Sequence, residues 1–147
     1  MASTPEDLLR YETTVYGLTQ MRAGAAGLQV RPVESNGGGN LDYSDGTTFI
    51  PKWALEQTQE AFMTEGFFTP GTIPRLPDHA KGYPRWRFSV LASNCTSSAD
   101  MRALVDEALD KGFGKVCIIS DNSYRTIPDY WEEEVAYIAS KKPKPTA

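Results

Sequence analysis

Apolar residues recur along this chain with two periods, and each change of period marks an element. Leu8, Tyr11, Val15 and Leu18 fall at three- and four-residue steps, the spacing of one helix face. Thr4 suits the N-cap, Pro5 the first helical position, and Glu6 and Asp7 the positive end, so a helix is predicted to about Arg22. Ala23 to Gly27 breaks it, and Leu28, Val30 and Val33 alternate as in a short strand. Glu34 to Asn40, with Gly37, Gly38 and Gly39, reads as a loop, and Asp45-Gly46 as a turn. Thr48 to Glu60 reads as a helix with Trp53, Ala54 and Leu55 as apolar contacts, and Ala61 to Glu65 as a short strand stopped by Gly66. Pro70, Pro74, Pro77 and Pro84 make residues 69–84 a loop with at most one short helix.

The second half is more regular. Arg87-Phe-Ser-Val-Leu-Ala-Ser93 reads as a buried strand. Ser97 or Ser98 caps the next helix, whose Met101, Leu104, Val105, Ala108 and Leu109 follow the i, i+3, i+4, i+7, i+8 pattern, and Gly112 ends it. Lys115 to Ser120 is expected to be a strand buried on both faces. Pro128 opens a last helix, with Asp129, Glu132 and Glu133 at its positive end and Lys141 and Lys142 at its negative end. Trp131, Val135 and Ile138 are expected to form its inner stripe, with Glu132, Glu133 and Glu134 on a solvated face. Strand–helix–strand alternation implies an α/β fold: a parallel sheet of three to four strands with covering helices.

Composition bounds the possibilities. The 147 residues suffice for one domain, expected over residues 1–140 with a flexible Lys/Pro tail over 141–147, and fall short of the roughly 250 of a complete (β/α)₈ barrel. Hydrophobic residues at 40 % and charged residues at 23 % are ordinary globular values. The net charge of −4, with Lys and Arg clustered only at Lys141, Lys142 and Lys144, argues against a nucleic-acid partner. No apolar run approaches the length of a membrane span. Met1 to Asp7 lacks the basic and apolar regions of a signal peptide, which points to an intracellular chain or a mature or truncated product.

Residue chemistry narrows the picture further. Cys95 and Cys117 cannot build a disulfide framework and read as small buried thiols, and the single histidine, His79, lies in a loop sequence. No metal or other cofactor is implied, and chemistry would fall to carboxylates. Gly37 to Gly39 is not followed by a Gly-Lys-Ser/Thr, which excludes a phosphate loop. Asn94-Cys95-Thr96 fits the N-glycosylation pattern, which matters only for a secreted chain. Phe67, Phe68, Tyr83, Trp86 and Tyr124 are aromatics near loops, able to stack on the apolar faces of sugars or to anchor those loops.

An ordered series of segments then carries a family resemblance over Glu65 to Ala139. It runs from Thr64-Glu65-Gly66 and its aromatics through Tyr83-Pro84-Arg85, the strand from Arg87 and the helix Ala99 to Leu109. It continues through Gly112-Phe-Gly-Lys-Val116 and a strand ending near Asp121 to Ile127-Pro-Asp-Tyr-Trp131-Glu-Glu-Glu-Val135. This half of the chain resembles the spherulation-specific family 4, or spherulin-4-like, proteins. The resemblance implies the last three or four units of a (β/α)₈ barrel, kinship with glycoside hydrolases acting on galactosamine-rich exopolysaccharide, and a secreted or cell-surface setting. It matches Glu65 to a family position associated with the active site. The family's Asp-Glu pair has no counterpart, since Asp42, Asp45 and Glu34 lie in loop sequence.

Two functions follow as expectations. One is a carbohydrate-related domain with Glu65 as its carboxyl acid or base and Asp121, Asn122, Tyr124, Phe67 and Trp86 as sugar-binding residues. Glycoside hydrolysis usually needs two cooperating carboxyl groups, and the family's pair is not matched in this sequence. The alternative is a non-catalytic structural or interaction domain. A part-barrel exposes strand edges and an inner sheet face, so self-association or docking on a partner protein is expected.

Overall fold

The computed structural model describes residues 34–36, 46–48, 50, 52–57 and 61–141. The predicted helix to Arg22, the strand over 28–33, the glycine loop at 37–39 and the tail from Lys142 lie outside them.

Among the described residues four parallel strands form one sheet: β1 (Glu34–Asn36), β2 (Ala61–Gly66), β3 (Phe88–Ala92) and β4 (Lys115–Ile118). They lie side by side in chain order. Helix α1 (Lys52–Gln57) precedes β2, α2 (Ser98–Asp110) joins β3 to β4, and α3 (Trp131–Lys141) follows β4. The α/β class and the parallel sheet of the sequence reading are both present. The β2–β3 connection holds two single-turn 3₁₀ helices, Asp78–Ala80 and Arg85–Arg87.

Helix α2 forms where its sequence signals fall. The Ser97 hydroxyl accepts from the Asp100 N–H at 3.1 Å and donates to its carboxylate at 2.9 Å, satisfying one orphan donor of the first turn. At the other end Gly112 takes φ +97°, a backbone that costs glycine little. The Gly112 N–H reaches the Leu109 carbonyl and the Phe113 N–H the Ala108 carbonyl, closing a Schellman turn.

Register partners on adjacent strands share a face. Phe62 with Phe88, Thr64 with Val90 and Val116, and Gly66 with Ala92 and Ile118 make one face. The apolar side chains of these rows join Met101, Leu104, Val105 and Ala108 of α2 in the core. Each such fully buried large side chain contributes roughly 1.5–3 kcal/mol. Met63, Ser89 and Lys115, then Glu65, Leu91 and Cys117, form the opposite face.

Four expectations require correction. Glu34–Asn36, expected in a loop, is strand, because pairing to Ala61–Met63 of β2 outweighs its local turn preference. Of the helix predicted from Thr48 to Glu60, the described helical part is Lys52–Gln57, and Thr48 instead donates its N–H to Arg75. The strand at Lys115 ends at Ile118 and is not buried on both faces: Lys115 is exposed, and Val116 and Cys117 are half-buried. In α3 the predicted inner stripe is turned outward at Trp131, 41 % exposed, and Val135, 51 % exposed, while Glu134 is 1 % exposed. The Tyr137 hydroxyl donates to Asp106 at 2.7 Å, Arg102 pairs with Glu133 at 2.7 Å, and the Ile118 N–H donates to Glu134 at 2.7 Å. These three bonds set the helix rotation against α2 and β4.

Candidate functional site

In a parallel sheet every strand points the same way, so residues that follow strands gather at one end and residues that precede them at the other. Glu65 lies near the end of β2 and Phe67 just beyond it, while Asp121, Asn122 and Tyr124 follow β4, so all five belong to the carboxyl end. Trp86 and Tyr83 precede β3 and belong to the amino end. Gly114, just before β4, lies against the Arg85 backbone, which places the Trp86 turn at that end as well. Trp86 is therefore not brought together with the other expected site residues.

Glu65 is half-buried and shares its register row with Leu91 and Cys117, on the face away from α2. The end of β2 is fastened to β3's end by Ser93, whose N–H and hydroxyl both donate to the Gly66 carbonyl, at 3.0 and 3.3 Å. The two phenylalanines beyond it divide. The Phe68 ring covers Gly66, where a Cβ would lie 2.9 Å from it, and packs on the core. Phe67 is 63 % exposed.

The loop after β4 is built around Asp121. Its Oδ1 accepts from the Ser123 N–H at 2.7 Å, and the Arg125 N–H donates to the Ser123 hydroxyl at 3.3 Å. Hydrogen bonds from the Ser123 hydroxyl, then from its N–H, and more weakly from the Thr126 hydroxyl hold the Asp121 carboxyl below its ordinary range. Asp121 thus shapes the loop, and Asn122 and Tyr124 stand out from it. Tyr124 has φ +56°, a left-handed backbone uncommon for a bulky residue, and is 60 % exposed.

Beside this loop lies a cleft of about 190 Å³, lined among others by Thr96, Ser120, Ile127, Asp129 and Tyr130. The sequence reading missed these polar residues because they come from three separate stretches that only the fold brings together. The Tyr130 hydroxyl donates to the Cys95 carbonyl at 2.9 Å, which holds that wall in place. A cavity of about 270 Å³ at the amino end carries Lys81, Arg85 and Lys111. Lys81 is paired with Asp78 at 2.7 Å and Lys111 with Glu107 at 2.5 Å, so two of its three cations are already compensated.

The remaining candidate groups are structural. His79 is exposed in a 3₁₀ turn, with its Nε2 2.6 Å from the Ile50 carbonyl oxygen. Cys95 is buried, whereas Cys117, expected to be buried, is half-buried, and desolvation followed by the Glu134 charge raises its thiol above the ordinary range. Glu134 was missed altogether: three successive glutamates at a helix start read as a solvated face. The signal was present in the i, i+4, i+7, i+8 spacing of Tyr130, Glu134, Tyr137 and Ile138.

Comparison of the chain with protein-family models, with curated proteins and with solved structures finds no match.

Proposed function

We propose that this chain is a carbohydrate-related domain, similar to the C-terminal units of the spherulin-4-like glycoside hydrolases, that engages an amino-sugar exopolysaccharide at the carboxyl end of its sheet. The observation that carries the reading is Tyr124: an exposed ring held out on a left-handed backbone by a loop that Asp121 shapes. Strain of this kind persists where surrounding structure maintains it, and it concentrates at functional sites. A flat exposed ring suits the C–H face of a pyranose, and Phe67 offers a second ring at the same end. The four parallel strands among the described residues lie in chain order, which is compatible with consecutive barrel units, whereas a doubly wound sheet reverses its order.

In this reading Glu65 donates a proton to the leaving glycosidic oxygen or takes one from water. Asn122 supplies hydrogen bonds to sugar hydroxyls, and Asp121 acts by holding its loop. The experiment is co-sedimentation of the full chain with insoluble galactosaminogalactan-type polymer. Retention on the polymer supports the reading, and equal retention on cellulose and on the amino-sugar polymer defeats its specificity.

A second reading is favoured by one observation. The Asp121 carboxylate accepts from the Ser123 N–H and is occupied within its own loop. A non-catalytic domain that docks on a second copy or on a partner protein fits this, through the sheet face carrying half-buried Met63, Leu91 and Cys117. Light scattering separates the two: a mass of 16.3 kDa, constant across a concentration series, removes the self-association form of this reading.

A further inference from the structure

We propose that Glu134 is a proton-operated latch: with its carboxyl protonated it holds α3 against the outer edge of β4, and its ionisation loosens α3 and uncovers that edge. The inference is independent of the carbohydrate reading.

Strand β4 closes the sheet order, and among the described residues no strand pairs with its outer side. The Ile119 N–H donates inward to Ala92 of β3 at 2.8 Å. Successive N–H groups of a strand point to opposite sides, so the Ile118 N–H points outward. An unpaired N–H of this kind invites a foreign strand. Glu134 Oε1 takes it at 2.7 Å, from a side chain that is 1 % exposed. The other oxygen, Oε2, is buried and has no hydrogen-bond partner among the described residues. A charge placed there is only half solvated, and burying such a charge is costly.

Among the described residues, the groups around Glu134 offer no cation. From β4 the neighbour is the Cys117 thiol, and from the turn before α3 it is the Tyr130 phenol, itself bonded to the Cys95 carbonyl. From α2, Arg102 is paired with Glu133, and Asp106 takes the Tyr137 hydroxyl and Lys141. Burial raises the Glu134 carboxyl from 4.5 to about 7, against the opposing pull of the Ile118 hydrogen bond. A raised folded-state value means that the proton stabilises the closed form. That stability is complete below 4.5 and is lost as pH rises through about 7. The Arg102–Glu133 pair and the Tyr137–Asp106 bond do not involve this proton, so α3 stays attached to α2 while its contact with β4 weakens.

The test is amide hydrogen exchange at Ile118 in the full chain, expressed as a protection factor so that base catalysis of exchange itself is removed. If the opened state titrates at the ordinary value, the protection falls about 30-fold between pH 5.5 and pH 8.5. Glu134→Gln keeps a carbonyl acceptor for the Ile118 N–H and cannot ionise, so its protection stays flat over the same interval. Carbon NMR of the Glu134 carboxyl supplies a second measurement on the unmodified protein, with a midpoint expected near 7. A midpoint near 4.5, or the same loss of protection in Glu134→Gln as in the wild type, overturns the proposal. Should the variant fail to fold, the carboxyl midpoint and the wild-type protection profile decide it.

Discussion

Gly114 and Arg85 meet backbone to backbone: a Cβ built on Gly114 would lie 2.5 Å from both the carbonyl carbon and the oxygen of Arg85. The strand β4 can start where it does only because residue 114 has no side chain. Gly114→Ala is therefore expected to push the Arg85–Arg87 turn off β4 and to cost about 1–3 kcal/mol. The melting temperature should fall by several degrees. Gly82→Ala is the control, since nothing lies within 4 Å of its Cβ position and its φ is not positive, and it should leave the melting temperature within about a degree.

Glu107 holds the segment that follows β2. Its carboxylate accepts from the Gly71 N–H at 2.7 Å and from the Ile73 N–H at 3.1 Å, and it pairs with Lys111, whose ammonium also donates to the Ile73 carbonyl. Glu107→Ala leaves two backbone donors without their charged acceptor, which costs about 2–4 kcal/mol. Amide exchange at Gly71 and Ile73 should accelerate well beyond the change at Leu104 and Val105, which lie in the core of α2. Uniform acceleration across all four would contradict a local clamp.

Tyr124 should show opposed effects on stability and binding. Glycine adopts φ +56° without the Cβ clash, so Tyr124→Gly is expected to leave stability unchanged or to raise it by about 1 kcal/mol. The same variant removes the exposed ring, and retention on the polymer should drop at least several-fold. Paired melting and co-sedimentation measurements check both halves, and a variant that melts higher yet binds as well as the wild type would remove Tyr124 from the sugar surface.

The second half of the fold was legible because local signals and packing agree there. Ser97, the Met101 to Ala108 stripe and Gly112 each mark α2 from within a few residues, and each does so in the structure. Strand β1 was not legible: Glu34, Ser35 and Asn36 carry no apolar pattern, and their strand form depends on β2, far along the chain. The rotation of α3 was legible only in the spacing of Tyr130, Glu134, Tyr137 and Ile138, which the run of three glutamates obscured. Glu134 turns inward to meet an outward N–H of β4, sixteen residues earlier, and Trp131 and Val135 are thereby turned outward. At the site, strand direction alone separates Trp86 from Glu65, because one precedes a strand and the other closes one. The Thr96, Ser120 and Asp129 cleft left no trace in spacing, since it is assembled from three loops.

The proposed action of Glu65 on sugar at the carboxyl end of the sheet is decided by release of reducing ends from galactosaminogalactan-type polymer. Wild type and Glu65→Gln are incubated with the polymer at matched concentrations, and new reducing ends are counted over time. Release by the wild type is expected, with a loss of at least about 100-fold in Glu65→Gln, the scale of a removed general acid or base, and with polymer binding retained. Release at equal rates from both proteins, or none from the wild type, would contradict it.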